Sequence, residues 1–225
     1  MTGARAQAAA RRRQREHDIL AATRELFDAN GVRDAQIEDI ARAVGVNRAI
    51  IYRHFTGKEE LFALTLVGYL DELAAQLNAV APVDGSVEDG AAAARLADLI
   101  GVFVDFGVAH PAFVDCAQAL MRRTGPELLD EISEGAMFRL GRAIAGCLKE
   151  LTTLLDEGQR RGEFREIDSA LLANHMYASG LGALQLARVG MLVREAAPGV
   201  PEVVPLSPDQ VRSFLVATAR ALAVR

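Results

Sequence analysis

The stretch from Ile37 to Phe55 reads IEDIARAVGVNRAIIYRHF and is the part of the sequence that most clearly predicts the structure of the N-terminal part of the chain. Its apolar residues recur at helical spacing on both sides of Gly45, which predicts two short helices, residues 37–44 and 48–55, joined by a tight turn. Glycine suits this turn because a Cβ is costly in the left-handed conformation, and Asn47 can cap the second helix. The predicted inward positions are Ile40, Val44, Val46 and Ile51. These are the dimensions of a helix-turn-helix.

The outward face of the second short helix has the chemistry of a DNA-reading surface. It carries two fixed positive charges, a phenol and small or apolar groups, on Arg48, Ala49, Ile50, Tyr52 and Arg53. A helix of this size fits the major groove, where its N-terminal residues approach base edges. Arg48 can donate to guanine O6 and N7, and Ile50 can touch a thymine methyl group. Tyr52, His54 and Lys58 are better placed for backbone phosphates, which fix register without reading sequence.

Helical patterns extend on both sides of this stretch. A first helix that ends at Gly31 is predicted over residues 11–30, with an apolar stripe at helical spacing formed by Ile19, Leu20, Thr23, Leu26 and Phe27. Thr56 to Glu59 resembles a capping box that opens a long helix through about Leu77. Further helices are predicted near residues 87–109, 111–123, 127–161, 168–195 and 207–224. The main breaks are predicted at residues 82–86, 110–111, 124–126, 162–167 and the proline-rich 196–205. The predicted fold class is therefore all-α.

The charge of the chain is unevenly distributed. Its net charge is −5, but residues 1–60 carry 11 Lys and Arg against 9 Asp and Glu, and the remainder carries 14 against 21. The acidic remainder would be repelled by DNA, so we expect any DNA contact to lie in the N-terminal part. The basic start, Arg11 to Arg15, either reaches the minor groove or phosphates or remains a solvated tail.

The N-terminal part resembles the tetracycline-repressor (TetR) family. The matching residues are Ile19-Leu20-Ala21-Ala22, Leu26-Phe27, Gly31, Ile40-Ala41, Gly45-Val46, Ile51-Tyr52-Arg53-His54-Phe55 and Lys58-Glu59-Glu60-Leu61. The resemblance implies a repressor that acts as a homodimer, with the second short helix of each subunit in one half of a palindromic operator. It also implies a helix-turn-helix DNA-binding domain, residues 11–61, and a helical effector-binding and dimerisation domain, residues 62–225.

The chain departs from the family pattern at three places in the helix-turn-helix. Ala35-Gln36 stands before the first short helix, where the family usually has Ser or Thr that caps or contacts phosphate, so Gln36 is the candidate for that contact. Asn47 replaces the common Ser but caps comparably. Ala49-Ile50 replaces a frequent Gly-Thr pair and removes a hydroxyl. The operator sequence of a relative therefore does not transfer to this chain.

Aromatic and Met residues scatter over the helices predicted in the C-terminal part. In this family such helices surround an effector cavity, and a mostly apolar lining with Met suggests an adaptable pocket for a lipophilic or aromatic compound. The candidate effector-binding residues are Phe103, Phe106, Phe113, Met121, Met137, Phe138, His175, Met176 and Tyr177. Alternatively, these side chains simply fill a helical core. His175 either orients a polar group of a ligand or is a hydrogen-bonded core histidine.

Small residues on the penultimate helix indicate close helix packing. Gly180, Gly182, Ala183, Ala187 and Gly190 lie on this helix, and the last helix offers an apolar stripe of Val211, Phe214, Leu215, Ala219 and Leu222. We expect the two helices to form a four-helix bundle across the two-fold axis of a dimer. Packing within one chain is the alternative. Residues 169–187 are uncharged but contain polar groups that a bilayer penalises, so they predict a buried helix and no membrane contact.

Other classes of function have weaker support in the sequence. The two cysteines, Cys116 and Cys147, indicate neither a disulfide framework nor a thiolate metal site, which favours a reduced, cytoplasmic setting. No fingerprint of a catalytic serine, a P-loop or a dinucleotide site occurs, and no metal-ligand spacing is present, so we expect no enzyme, cofactor or metal. An architectural DNA-binding protein without an effector stays open, because a filled core and an empty one look alike in sequence.

Overall fold

The computed structural model describes residues 2–32, 36–80 and 90–225 and is almost entirely helical. The helices are α1 Thr2–Asn30, α2 Ile37–Val44, α3 Arg48–His54, α4 Lys58–Asn78, α5 Ala91–Ala109, α6 Pro111–Met121, α7 Gly125–Glu131, α8 Glu134–Arg160, α9 Ser169–Val189 and α10 Pro208–Ala223. One antiparallel hairpin, β1 Met191–Ala197 and β2 Val200–Pro205, separates α9 from α10. The fold is an all-α fold with an N-terminal helix-turn-helix, as the sequence predicts.

The chain divides into two compact units that do not follow chain order. The first comprises residues 1–69 and 111–142, and the second comprises residues 70–110 and 143–225. The first unit therefore joins the helix-turn-helix to α6, α7 and the start of α8. The predicted break at residues 82–86 and the predicted helix start at residue 87 lie outside the described residues.

The core of the first unit is built from the apolar stripes of α1 to α4. Ile19, Phe27, Ile40 and Ile51 are at most 2% exposed, and the rings of Phe27 and Phe62 meet edge to face at 5.3 Å. The predicted start of α1 at residue 11 is wrong, because the helix begins at Thr2. The added turns are rich in Ala, and their described side chains are exposed, so helix propensity rather than packing extends the helix.

The start of α4 is capped differently from the predicted capping box. Because the helix begins at Lys58, the third helical position is Glu60, not Glu59, and the Glu60 carboxylate accepts the backbone N–H of Thr56. Glu60 is 4% exposed and also accepts the hydroxyl of Ser133. The Thr56 hydroxyl donates to the carbonyl of Glu131 at 2.9 Å. Thr56 and Glu60 thus connect the start of α4 to the segment between α7 and α8 within the first unit.

The helix predicted over residues 127–161 is wrong as a single element. It consists of α7 and α8, separated at Ile132, which has extended backbone (φ −120°, ψ 131°) and is 3% exposed. The hydroxyl of Ser133 accepts the N–H of Ala136 at 3.3 Å and so restarts the helix. Burial of Ile132 and the side-chain cap at Ser133 outweigh a helical pattern that is continuous in the sequence.

The helix predicted over residues 168–195 also ends earlier. Gly190, at φ 72°, ends α9, and β1 follows at Met191. The two strands turn at Pro198-Gly199, where Gly199 has φ 76°, as the third position of a type II turn requires. The β-branched Val193, Val200, Val203 and Val204 favour strands over a helix, and the prediction that residues 196–205 are only a break is wrong because they form most of the hairpin.

The second unit packs α10 against α5 and α9. The prediction that residues 169–187 form a buried helix is correct for one face only. Leu172, Met176 and Leu184 are buried, whereas Leu171 is 68% exposed and Leu186 is 45% exposed. No helix in the described ranges is long and apolar enough to cross a membrane.

Candidate nucleic-acid interface and ligand cavity

The turn between α2 and α3 has the geometry that the sequence predicts. Gly45 is left-handed (φ 69°, ψ 34°), and the Asn47 side chain accepts the N–H of Ile50 at 3.1 Å. Ile51 is fully buried, and Val44 and Val46 are half-buried. This cap and this core fix the direction in which α3 presents its outer residues.

Most of the proposed DNA-binding residues lie on the exposed side of this motif. Six are exposed, namely Gln36, Asn47, Arg48, Ala49, Tyr52 and Arg53, and three are half-buried, namely Ile50, His54 and Lys58. The ammonium of Lys58 lies 5.2 Å from the centre of the Phe62 ring. Gln36 precedes α2 in extended conformation and makes no side-chain cap.

Arg48 is held by two neighbours that the sequence did not reveal. Its Nη1 donates to Glu38 Oε1 at 2.7 Å, and its Nη2 donates to the Tyr52 hydroxyl at 3.2 Å. The hydrogen bond to Tyr52 and the carboxylate of Glu38 raise the pKa of Arg48. Glu38 lies ten residues earlier, on α2, so only the folded turn brings the two side chains together. A guanidinium fixed in this way is oriented before it meets any ligand.

His54 is a weaker candidate for a cationic phosphate contact than the sequence suggests. Burial, followed by the positive charges of Arg12 and Arg15, lowers the pKa of its imidazole, so the neutral form is favoured at neutral pH. The same interaction shows that two exposed arginines of α1 lie near the end of α3. The basic start of the chain therefore belongs to a regular helix beside the proposed reading surface.

The second unit contains a cavity with an apolar lining. Three of the proposed effector-binding residues, Phe103, Met176 and Tyr177, line it. The remaining lining residues are Leu77, Leu99, Ile100, Cys147, Leu148 and Leu151. Burial raises the pKa of the Cys147 thiol to about 12, so this group is neutral at neutral pH.

The other proposed effector-binding residues do not line this cavity. Phe106 is buried beside the ring of His110, at 4.5 Å between centroids. His175 is exposed, so the core-histidine interpretation is wrong for this chain. The remaining four belong to the first unit: Phe113 is buried, Met137 is half-buried, and Met121 and Phe138 are 55% and 71% exposed. The aromatic and Met residues thus include lining, core and surface positions, which residue type alone does not distinguish.

Among the small residues of α9, Gly180 packs closely against another helix of the same chain. A Cβ on Gly180 would lie 2.5 Å from Cε1 of Phe103, whereas Gly182 faces open space. In α10, Val211, Leu215 and Ala219 are buried and Phe214 is 67% exposed. Much of the stripe proposed for a dimer surface is therefore used inside the second unit. No group of three His, Cys, Asp or Glu side chains suited to a metal ion occurs among the described residues.

Comparisons with known proteins agree with this architecture. The sequence model for bacterial regulatory proteins of the tetR family matches residues 19–65. Over 170 residues the chain is 30% identical to the HTH-type transcriptional repressor NicS of Pseudomonas putida, which covers 73% of this chain and 71% of NicS. The chain belongs to the tetR family of bacterial regulatory proteins. It is thus a transcriptional regulator whose helix-turn-helix binds DNA.

Solved structures of tetR-family members show the same fold. A putative tetR-family regulator from Shewanella sp. PV-4 superposes with a TM-score of 0.62 at 20% identity, covering 94% of this chain and 99% of that one. The regulator FadR of Bacillus subtilis, solved in complex with stearoyl-CoA, superposes with a TM-score of 0.57 at 17% identity, covering 91% and 97%. The tetR-family fold therefore extends over both units of this chain.

Proposed function

We propose that this tetR-family protein is a repressor that binds a palindromic operator as a homodimer and is released by a small lipophilic effector. The observation that carries the DNA part is the exposed outer face of α3, which presents Arg48, Tyr52 and Arg53 behind an Asn47-capped turn. Arg48 reads a guanine, and Lys58 and Tyr52 contact phosphates. Repression is supported by the likeness to the repressor NicS.

The dimer is supported by apolar side chains that the chain leaves exposed on its last two helices. Leu171, Leu186 and Val189 follow one outer face of α9 and are 68%, 45% and 52% exposed, and Phe214 of α10 is 67% exposed. A two-fold arrangement would cover these residues with the same residues of the partner. The surface consists of the outer faces of α9 and α10, rather than the stripe of small residues.

The effector is supported by the apolar cavity of the second unit. Its lining is mostly apolar and carries no charged side chain, as is usual for sites that bind lipophilic small molecules. Helix α4 begins at Lys58, a proposed phosphate contact, and continues past Leu77, which lines the cavity. An effector that binds two states of the dimer with different affinity shifts their populations, and the two α3 helices then no longer match successive major grooves.

The palindromic operator is tested by selecting duplexes from a random-sequence pool with the purified protein. We expect an inverted repeat whose half-site centres lie one helical turn, about 10–10.5 bp, or a multiple of it apart. Selection of a single unsymmetrical site would contradict the two-fold arrangement.

The dimer is tested separately by light scattering after size-exclusion chromatography. The chain has a mass of 24.1 kDa, and we expect the wild type at twice this mass and Phe214→Asp at the monomer mass. Leu129→Asp on α7 is the matched control, because Leu129 has the same 67% exposure as Phe214. Loss of the dimer in both variants, or in neither, would contradict the assigned surface.

A further inference from the structure

A second cavity adjoins the apolar cavity in the same unit. It shares Ile100, Phe103 and Met176 with the first. Its other lining residues are Ser179, Gly180, Leu215, Thr218, Ala219 and Leu222. The three shared residues therefore form a partition between two adjacent cavities.

Phe103 forms the central part of this partition. Its ring meets the Tyr177 ring edge to face, at 6.0 Å between centroids, and is 8% exposed. It also occupies the space that a side chain at position 180 would take, since a Cβ on Gly180 would lie 2.5 Å from its Cε1 atom. Glycine at position 180 thus allows Phe103 to lie between the two cavities.

The chemistry of the two linings differs in one respect. No charged side chain lines either cavity. The first has the Tyr177 phenol and the Cys147 thiol among otherwise apolar side chains, whereas the second has the aliphatic hydroxyls of Ser179 and Thr218. Ser179 lies at the exposed edge and donates to the carbonyl of His175 at 2.8 Å, which leaves its oxygen able to accept a further hydrogen bond. An ionised ligand group would find no side chain of opposite charge in either lining.

We propose that the two cavities form one site for a single uncharged, elongated amphiphile. Its hydrocarbon chain fills the first cavity, and a neutral hydroxyl, carbonyl or amide head reaches Ser179 and Thr218 in the second. The proposal rests on the proposed effector function and deepens it. Leu215, Thr218 and Leu222 belong to α10, the helix that exposes Phe214 at the proposed dimer surface. The head group of the ligand therefore contacts a helix of the proposed dimer surface, whereas its hydrocarbon tail does not.

Calorimetric titration of the full-length protein at pH 8 with 1-decanol, decanoate and decylammonium tests the ligand class. We expect 1-decanol to bind at least tenfold more tightly than either ion, and affinity to rise about fourfold for each methylene from 1-octanol to 1-decanol. Equal or tighter binding of decanoate would overturn the neutral class and leave an effector-controlled regulator standing. Binding of none of these compounds would overturn both the site and the lipophilic effector.

Two glycine variants and one Phe103 variant test whether the cavities act as one site. Gly180→Ala forces Phe103 to move, and we expect it to weaken 1-decanol binding at least fivefold. Gly146→Ala on α8 is the control, because its added methyl group faces open space outside the proposed dimer surface, and its affinity should equal that of the wild type. Phe103→Leu, which thins the partition without adding bulk, should bind 1-dodecanol more tightly than the wild type does. Unchanged affinities in Gly180→Ala and Phe103→Leu would overturn the shared site.

Discussion

The ion pair between Arg48 and Glu38 leads to a prediction about binding to DNA of random sequence. Arg48 donates to Glu38 at 2.7 Å. On DNA without an operator, where Arg48 has no guanine to read, this carboxylate neutralises a guanidinium that would otherwise neutralise a phosphate. Glu38→Gln removes this competition without changing the size of the side chain. The variant should therefore make one more effective phosphate contact on any duplex than the wild type.

The size of the effect follows from counterion release. One additional phosphate contact steepens the dependence of log affinity on log salt by about 0.9. Over a fourfold range of salt, the advantage of the variant over the wild type should then shrink by about 3.5-fold. Fluorescence anisotropy with a random-sequence duplex at 50, 100 and 200 mM salt measures both slopes.

The control must remove the same charge from an ion pair that lies elsewhere. Glu202→Gln does so, because Glu202 accepts from Arg194 at 2.8 Å across the hairpin and is also exposed to solvent. We expect its salt slope to equal that of the wild type. Equal slopes in Glu38→Gln and the wild type, or the same steepening in both variants, would refute the view that Glu38 restrains Arg48.

Three further predictions concern stability and reactivity. Asn47→Ala loses the N-cap of α3 and should lower the free energy of unfolding by about 1 kcal/mol in urea titrations, whereas Asn47→Ser should be close to the wild type. Gly158→Ala should cost about 1–3 kcal/mol, because its Cβ would lie 2.3 Å from the Phe164 ring; Gly146→Ala, on the same helix and facing open space, should instead gain about 0.5–1 kcal/mol. Since burial raises the pKa of the Cys147 thiol to about 12, Ellman's reagent should not label this residue in the native protein at pH 8 but should label it in denaturant, and rapid native labelling would contradict its burial.

The helix-turn-helix could be predicted from the sequence because its determinants are local. Gly45 requires a left-handed backbone, Asn47 caps the helix that follows it, and the apolar spacing around them fixes which faces meet. The start of α10, predicted near residue 207, is also set locally, because Ser207 and Gln210 form a capping box there. Such features depend on residues within a few positions of each other, so a single sequence is sufficient.

Features that depend on tertiary contacts were not predictable in the same way. Ile132 interrupts a continuous helical pattern because its side chain is buried in the first unit. Glu38 reaches Arg48 only after α2 and α3 fold against each other. The cavity is lined by Leu and Ile residues whose spacing is that of an ordinary core stripe, whereas the conspicuous Phe138 is exposed to solvent. Periodicity identifies the buried face of a helix but not the space left beside it.

Whether α3 reads DNA sequence can be tested by comparing the affinity of the protein for two duplexes. The dissociation constant for the tightest duplex selected from a random pool is measured against that for a scrambled duplex of equal length and composition, at 150 mM salt. An operator-reading regulator should bind the selected duplex at least about 10³-fold more tightly. Equal affinity for the two duplexes would indicate an architectural DNA-binding protein, and binding to neither would contradict the assignment of α3 as a recognition helix.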